Sequence, residues 1–438
     1  MNGSEAYTGL RAWGPIEELD PGVRAALLDR AAASDGDTID RVTELLSEVR
    51  RDGDRALREQ TARFDAVTLD QIEIPRSSWT AAVDRLPTDV RTALERAARN
   101  IRTFHSAQRP ETVVSEVEPG VRVERRSTPL QRVGVYAPGG TAAYPSSVLM
   151  GVVPAKACGV GEVVVCSPPG PDGTPSDTVL AACHISGADR LFAVGGAAAI
   201  GAMAFGTDSL PRVDTIVGPG NRWVTEAKRQ VAGSVPIDGP AGPSEVLVLA
   251  DESSDIGLVA AEVLAQAEHD PDAGCVVITT DPDAPIEIAR EIARTAETAE
   301  RAETIRTALR RSGAVLLARD LDDAIDFTEA YAPEHLSVLT REAATVADRI
   351  RNAGTVFVGP SASVAFGDYM TGANHVLPTS GRARAFSGLS SAHFYRSYTV
   401  QYVSAEGAAR MSDDVATLAE AEGLPAHADA ARLRGGRG

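Results

Sequence analysis

Apolar residues recur along the first hundred positions with a helical period. From about Pro21 to Asp65 the chain reads helical: Ile39, Val42, Leu45, Leu46 and Val49 share a face, and Asp35, Asp37 and Thr38 offer N-cap chemistry ahead of them. A second run, from Thr88 to about His105, repeats the pattern with Val90, Leu94, Ala97 and Ile101. Near Gln131 the period changes. Arg132–Tyr136 is strand-like, and short β-branched or apolar runs follow at 162–166, 191–194, 215–217, 245–249, 275–278 and 314–317, with helical stretches between most of them. Parallel strands require crossover connections, so this alternation predicts an α/β chain of parallel sheets. It also suggests an internal duplication, with one α/β unit on each side of about Ser244. A late helical run, Met411 to Ala421, is stopped by Gly423 and Pro425 and presents Glu422 and His427.

The punctuation between these elements carries the first chemistry. Ala137-Pro-Gly-Gly140, Gly195-Gly196 and Gly218-Pro-Gly-Asn221 each follow a strand, where open α/β sheets place ligands. None fits the dinucleotide fingerprint in register, so phosphate loops and plain strand-to-helix turns both stay open. Gln266-Ala-Glu-His-Asp270 ends an apolar helical run. Residues three apart share a helix face, so Gln266 and His269 point together and Glu268 does not. Alone, the pair reads as a helix end with a dipole-favoured histidine or as two ligands side by side. Tyr331-Ala-Pro-Glu334-His335 sets a carboxylate beside an imidazole at a loop or helix start, a combination suited to proton transfer. Gly367–His375, turn-rich with Asp368 and His375, has little packing value and reads as a functional loop.

Composition narrows the classes. The chain has 438 residues, 43% of them apolar, enough for a sizeable core and two or more domains. A net charge of −18 argues against nucleic acid or an anionic membrane surface as partner and favours a small molecule. Lys156 and Lys228 are its only lysines. With no apolar run approaching a membrane span and no secretory signal pattern, a cytoplasmic protein is expected. Cys158, Cys166, Cys183 and Cys275 lack CxxC spacing and read as buried thiols. Of seven histidines, His269, His335, His375 and His427 are the chemical candidates. His105 reads as solvated or capping, His184 as core and His393 as half-buried packing. Asp368 with His269, His427 and the Gln266 amide would make a mixed nitrogen and oxygen site suited to Zn²⁺ or Mn²⁺.

Six segments in order, Val133–Gly140, Gly218–Asn221, Ala241–Val246, Gln266–Asp270, Pro333–Leu336 and Gly367–Tyr369 with Asn374–Thr379, resemble the histidinol dehydrogenase family over nearly the whole chain. The resemblance implies NAD-dependent oxidation of L-histidinol to L-histidine through L-histidinaldehyde, with one Zn²⁺ per subunit and Mn²⁺ as a possible substitute. By motif, Gln266, His269, Asp368 and His427 resemble the zinc ligands. His335 resembles the base for the alcohol step, and Glu334 the residue that activates water for the aldehyde step. Ser244, His375 and Glu422 match substrate contacts, with Glu422 and His427 crossing from the partner of a homodimer. Tyr136 and Asn221 match NAD contacts; Ala198 stands where the family usually has Gln, removing one expected hydrogen bond to the cofactor. The implied fold is two Rossmann-like parallel-sheet domains, with small N- and C-terminal helical segments. Its divisions are 1–30 as an N-terminal segment, 31–135 with 245–389 carrying most of the metal and catalytic groups, 136–244 on the NAD side, and 390–438 as a domain-swapped segment. Two competing readings are a relative that oxidises another amino or sulfonated alcohol and a zinc hydrolase without dinucleotide. Glu422 would repel a sulfonate, and a Gln-and-Asp ligand mix is unusual for hydrolytic zinc.

Overall fold

The structure, a computed structural model, describes residues 9–30, 36–139, 143–239 and 241–436. Asp35, Gly140 and the first eight positions of the expected N-terminal segment lie outside the described residues. In chain order, β1 (Ala12–Pro15) and α1 (Pro21–Leu28) precede four helices, α2 (Gly36–Asp52), α3 (Asp54–Phe64), α4 (Arg76–Arg85) and α5 (Thr88–Ser106). An antiparallel hairpin follows, β2 (Val113–Glu118) and β3 (Val121–Pro129). Alternation then sets in with β4 (Arg132–Tyr136), α6 (Pro145–Ala157), β5 (Glu162–Ser167), α7 (Asp177–Ser186), β6 (Arg190–Ala193), α8 (Gly196–Phe205), β7 (Thr215–Val217) and α9 (Arg222–Val231). A second round holds β8 (Glu245–Ala250), α10 (Ile256–Ala267), β9 (Gly274–Thr279), α11 (Ala284–Thr298), α12 (Ala302–Ser312), β10 (Gly313–Leu317), α13 (Leu321–Tyr331), β11 (His335–Val338), α14 (Ala343–Ala347), β12 (Thr355–Val358) and α15 (Val364–Tyr369). β13 (Tyr395–Val403), α16 (Ala405–Ala421) and α17 (Pro425–Arg434) close the chain.

The two rounds build two parallel sheets with the same internal plan. The smaller has the order β6-β5-β4-β7, and the larger contains β10-β9-β8-β11, extended by β1 at one edge and β12 at the other. In each, the second and third strands spread to one side of the first, and the fourth lies on its other side. That shared order is the Rossmann half-unit written twice. Buried Val, Ile, Leu and Ala cover both faces of both sheets, as parallel sheets require.

Packing distributes the N-terminal helices differently from the expected grouping of 31–135 with 245–389. Trp79, Ala97 and Ile101 of α4 and α5 join the core on one face of the four-stranded sheet, with α6 and α7. Val42, Leu46, Val49 and Leu57 of α2 and α3 join the core on its other face, with α8 and α9. β1 and α1, expected to stand apart, instead complete the six-stranded sheet and its cover. An apolar stripe identifies a buried helix face without naming the surface it meets, which is why the pattern did not reveal this.

A third, antiparallel sheet, β13-β3-β2, is an element the hydrophobic pattern did not predict. Its strands are largely exposed, with Val113, Val114, Val117, Tyr398, Tyr402 and Val403 open to solvent, so apolar and polar positions do not alternate. The segment after 390 therefore begins with a strand before turning helical. α16 and α17 form a hairpin whose shared core is Ala416, Ala419 and Ala428, while Val415, Leu418, Leu424 and Leu433 stay exposed.

All four cysteines are free and buried. Both lysines are held in ion pairs: Lys156 with Asp189 at 2.5 Å, and Lys228 with Asp238 and the Gly218 carbonyl. Among the described residues no helix is long and apolar enough to cross a membrane.

Candidate functional site

The ionisable candidates converge at the N-terminal ends of β8 and β11, neighbouring parallel strands in the six-stranded sheet. His335, the first residue of β11, aligns with Val246 of β8, and Glu334 directly precedes it. The pair thus opens a strand rather than a loop or helix. Ala332, in the left-handed region at φ 50°, ends α13 and turns the chain into this strand. α10, entered from an Asp255 N-cap, carries Gln266 in its last turn and delivers His269 just beyond its end, at the start of the connection to β9. α15 carries Asp368; the functional loop expected there is a short helix over its first half.

Residue 245 organises the centre. Its N–H donates to Glu334 Oε2 at 2.8 Å, and its carbonyl lies 3.0 Å from His335 Nδ1. A carbonyl can only accept, so Nδ1 carries the proton and Nε2 keeps its lone pair. Nε2 is 3.8 Å from Asp368 Oδ1 and has no hydrogen-bond partner. Burial lowers His335 to about 4, its bond to the Glu245 carbonyl opposing the shift, so the ring is neutral at physiological pH. Burial also lifts the Glu334 carboxyl well above its ordinary value, against the Glu245 N–H and a Ser244 hydrogen bond. Adjacent acid and base groups are thereby held apart in their protonation behaviour, the condition for two proton-transfer tasks.

Asp368 and His375 complete the surroundings. Burial raises Asp368 to about 7, with the Glu262 carboxylate adding to the shift. His375 is lowered to about 4 by burial, opposed by a hydrogen bond to the Asp368 backbone and reinforced by His269, and its Nε2 has no partner. His269 is exposed at the rim, yet surrounding protein still lowers its pKa, with Glu268 opposing the shift.

Gln266 is 1% exposed with neither amide atom hydrogen-bonded. An orphaned buried amide, together with unpartnered imidazole nitrogens and a carboxylate whose proton a cation would displace, fits a metal ion bound through nitrogen and oxygen. Among the described residues of a single chain, however, no group of three His, Cys, Asp or Glu could hold a metal. His427 and Glu422 sit exposed on the α16–α17 hairpin.

The remaining expected positions gather at the other sheet. Tyr136 ends β4, and its buried hydroxyl accepts from the Gly196 N–H at 3.1 Å; burial raises it to about 12, against that hydrogen bond. Gly218, at φ +117°, follows β7 and lies so close to Tyr136 that a Cβ would meet its carbonyl. Asn221 caps α9 by accepting from the Trp223 and Val224 N–H groups. These turns occupy the carboxyl ends of the first and fourth strands, where Rossmann-type sheets open a crevice. Ala198 is buried in the α8 core.

Three residues of this architecture escaped the sequence reading. Glu245 and Arg30 are 215 positions apart, yet pair at 2.6 Å. Glu262 accepts from the Val364 N–H at 3.0 Å, tying α10 to the start of α15. A signal for it existed: a carboxylate one turn before Gln266, in an otherwise apolar helix. Among the other histidines, His105 is buried with neither ring nitrogen partnered, contrary to the solvated expectation; His184 is exposed although its helix is core; and His393 is half-buried as expected.

The chain is similar to known proteins over nearly its whole length. A family model described as Histidinol dehydrogenase matches residues 28–435. The histidinol dehydrogenase of Halobacterium salinarum is 49% identical over 414 residues, covering 94% of this chain and 96% of that protein. That of Methanosarcina mazei is 48% identical over 401 residues, covering 91% and 92%. The crystal structure of histidinol dehydrogenase from Elizabethkingia anophelis superposes with a TM-score of 0.92 at 33% identity, covering 97% of this chain and 98% of that one. Family match, relatives and fold agree, and this chain belongs to the histidinol dehydrogenase family.

Proposed function

We propose that this protein oxidises L-histidinol to L-histidine through L-histidinaldehyde with two NAD⁺, in a cytoplasmic homodimer that binds one Zn²⁺ per subunit. The observation that carries the reading is the Glu334–His335 pair at the start of β11: a neutral imidazole with its Nε2 lone pair free, beside a carboxyl group with raised pKa. His335 takes the alcohol proton as hydride leaves to the first NAD⁺. Glu334, in its carboxylate form, takes a proton from water as oxygen adds to the aldehyde carbon, and the hydrate gives its hydride to the second NAD⁺. The sum is one alcohol, one water and two NAD⁺ converted to one carboxylate, two NADH and three protons. Ser244 and His375 contact the substrate from this chain, and Glu422 from the partner.

Gln266, His269, Asp368 and His427 of the partner subunit would hold the metal, Mn²⁺ being a possible substitute. When bound, it supplies a Lewis acid and a template for the substrate's imidazole and amine, without changing redox state. The crossing is supported by the exposed apolar side chains on α16, α17, β2 and β13, and by the exposure of His427 on that hairpin. Tyr136 and Asn221 serve the NAD side; Ala198 weakens it.

Turnover of L-histidinol with NAD⁺, followed as NADH before and after chelation, tests the proposal. Two NADH per histidine, lost on chelation and restored by Zn²⁺, is expected. No NADH from zinc-loaded protein with histidinol, while another amino or sulfonated alcohol is oxidised, would overturn the substrate assignment.

A further inference from the structure

The side chain of Glu245 has no task in the chemistry above, yet it is buried and fully engaged. Its carboxylate pairs with Arg30 Nη2 at 2.6 Å and accepts from the Ser380 N–H. Arg30 donates onward to the carbonyls of Leu27 at 2.9 Å and Tyr331 at 2.8 Å, and its guanidinium lies 3.4 Å from the Tyr331 ring centroid. One buried cluster therefore fixes three pieces of chain: the first residue of β8, the end of α13 three positions before Glu334, and the segment that carries His375 and ends at Ser380. Buried pairs of this kind contribute little net stability against an apolar replacement of similar volume, so the energy of folding gives weak reason for one here.

The reason lies on the other side of the same residue. In a strand, the N–H and C=O of one residue point the same way. Residue 245 directs both toward β11, where its N–H meets the Glu334 carboxylate and its C=O the His335 ring. Whatever fixes this residue fixes both proton-transfer groups, and it also selects the imidazole tautomer.

We propose that Arg30 and Glu245 are positioning residues for the oxidation site: their ion pair locks the backbone of residue 245, and that backbone aims Glu334 and His335. The proposal rests on the reading that Glu334 and His335 move the protons. Neither residue of the pair needs to touch the substrate, so its loss lowers kcat without weakening binding.

The test compares Arg30→Met/Glu245→Gln, which removes both charges and leaves neither buried alone, with Arg30→Lys, which keeps the pairing. The double variant is expected to lose at least about tenfold in kcat, equally for histidinol and for added histidinaldehyde, with both KM values within about twofold and bound zinc unchanged. Arg30→Lys is expected to recover most of that loss. In protein carrying ¹⁵N-labelled histidine, His335 should show a single Nδ1–H tautomer in the parent and a mixture in the double variant. If the double variant does not fold, Glu245→Gln, nearly isosteric, carries the same expectations; failure of both to fold, with Arg30→Lys fully active, makes the pair structural only and overturns the proposal. A folded variant with kcat within twofold of the parent and an unchanged tautomer also overturns it. Glu334→Gln and His335→Asn run alongside: if these leave kcat unchanged, the assignment of proton-transfer groups fails, whatever Arg30 and Glu245 do.

Discussion

The two parallel sheets share a strand order and use opposite ends of it. In the four-stranded sheet, the candidate site lies at the carboxyl ends of the first and fourth strands, where Tyr136 and Gly218 meet. In the six-stranded sheet the corresponding strands are β8 and β11, and the chemistry gathers at their amino ends, on Glu245, Glu334 and His335. The materials differ as well. One end is made of glycine turns and helix N-termini, backbone suited to approaching a ligand closely. The other is made of buried ionisable side chains with strongly shifted proton affinities. A repeated fold can therefore keep its topology while one copy gathers backbone turns at its strand ends and the other gathers ionisable side chains.

The comparison breaks most sharply at the side-chain end. His335→Asn is expected to lower the alcohol step by about 100- to 10,000-fold, and Glu334→Gln to do the same to the aldehyde step, leaving trappable aldehyde; single-turnover assays of each step separate them. Equal loss of both steps in both variants would dissolve the division of labour. Next comes subunit exchange: His269→Ala and His427→Ala proteins, each inactive, should regain part of the activity when mixed, since one site of each mixed dimer is intact. No recovery despite demonstrated exchange would return His427 to its own chain.

The backbone end is tested by Gly218→Ala. The new Cβ would stand 2.1 Å from the Tyr136 carbonyl oxygen at a φ of +117°, so a loss of at least about 1–3 kcal/mol in urea unfolding and a raised KM for NAD⁺ are expected. Ala198→Gln should act in the other direction, lowering the KM for NAD⁺ by about two- to tenfold, the worth of one hydrogen bond. An unchanged KM would show that the turn does not miss the amide. The smallest effect concerns His105, beneath α6. Its folded pKa, about 4, lies below the ordinary 6.5, so its stabilising contribution is fully present above pH 6.5 and is lost as pH falls toward 4. Urea midpoints at pH 5 and 8 should differ less in His105→Leu than in the parent.

Most of the α/β alternation was legible because strands buried on both faces read as unbroken apolar runs, such as Glu162–Ser167 and Gly274–Thr279. The antiparallel sheet was not, since strands exposed in this chain carry no two-residue period. At the site, Glu334–His335 stood out by adjacency and Gln266 by ending an apolar helical run, but helical spacing did not place His269, because α10 stops at Ala267 and leaves it beyond the helix. Arg30 and Glu245 were not, because only the tertiary fold closes the 215 residues between them. Nor could any local pattern state which end of β8 and β11 would hold the chemistry, since that depends on how α10 and α15 return to the sheet.

The two lysines, held in ion pairs while arginine supplies the remaining side-chain positive charge apart from histidine, have a practical side. An ammonium paired with an aspartate is a weakened nucleophile, all the more for Lys228, which is also buried, and a guanidinium stays protonated. Amine-directed acylation, cross-linking or surface immobilisation will find Lys156, paired and partly exposed, as the more accessible of the two lysine side chains. A fully exposed lysine handle on this enzyme has to be introduced, and one placed on the exposed face of α11 or α12 would be the most accessible of its lysines.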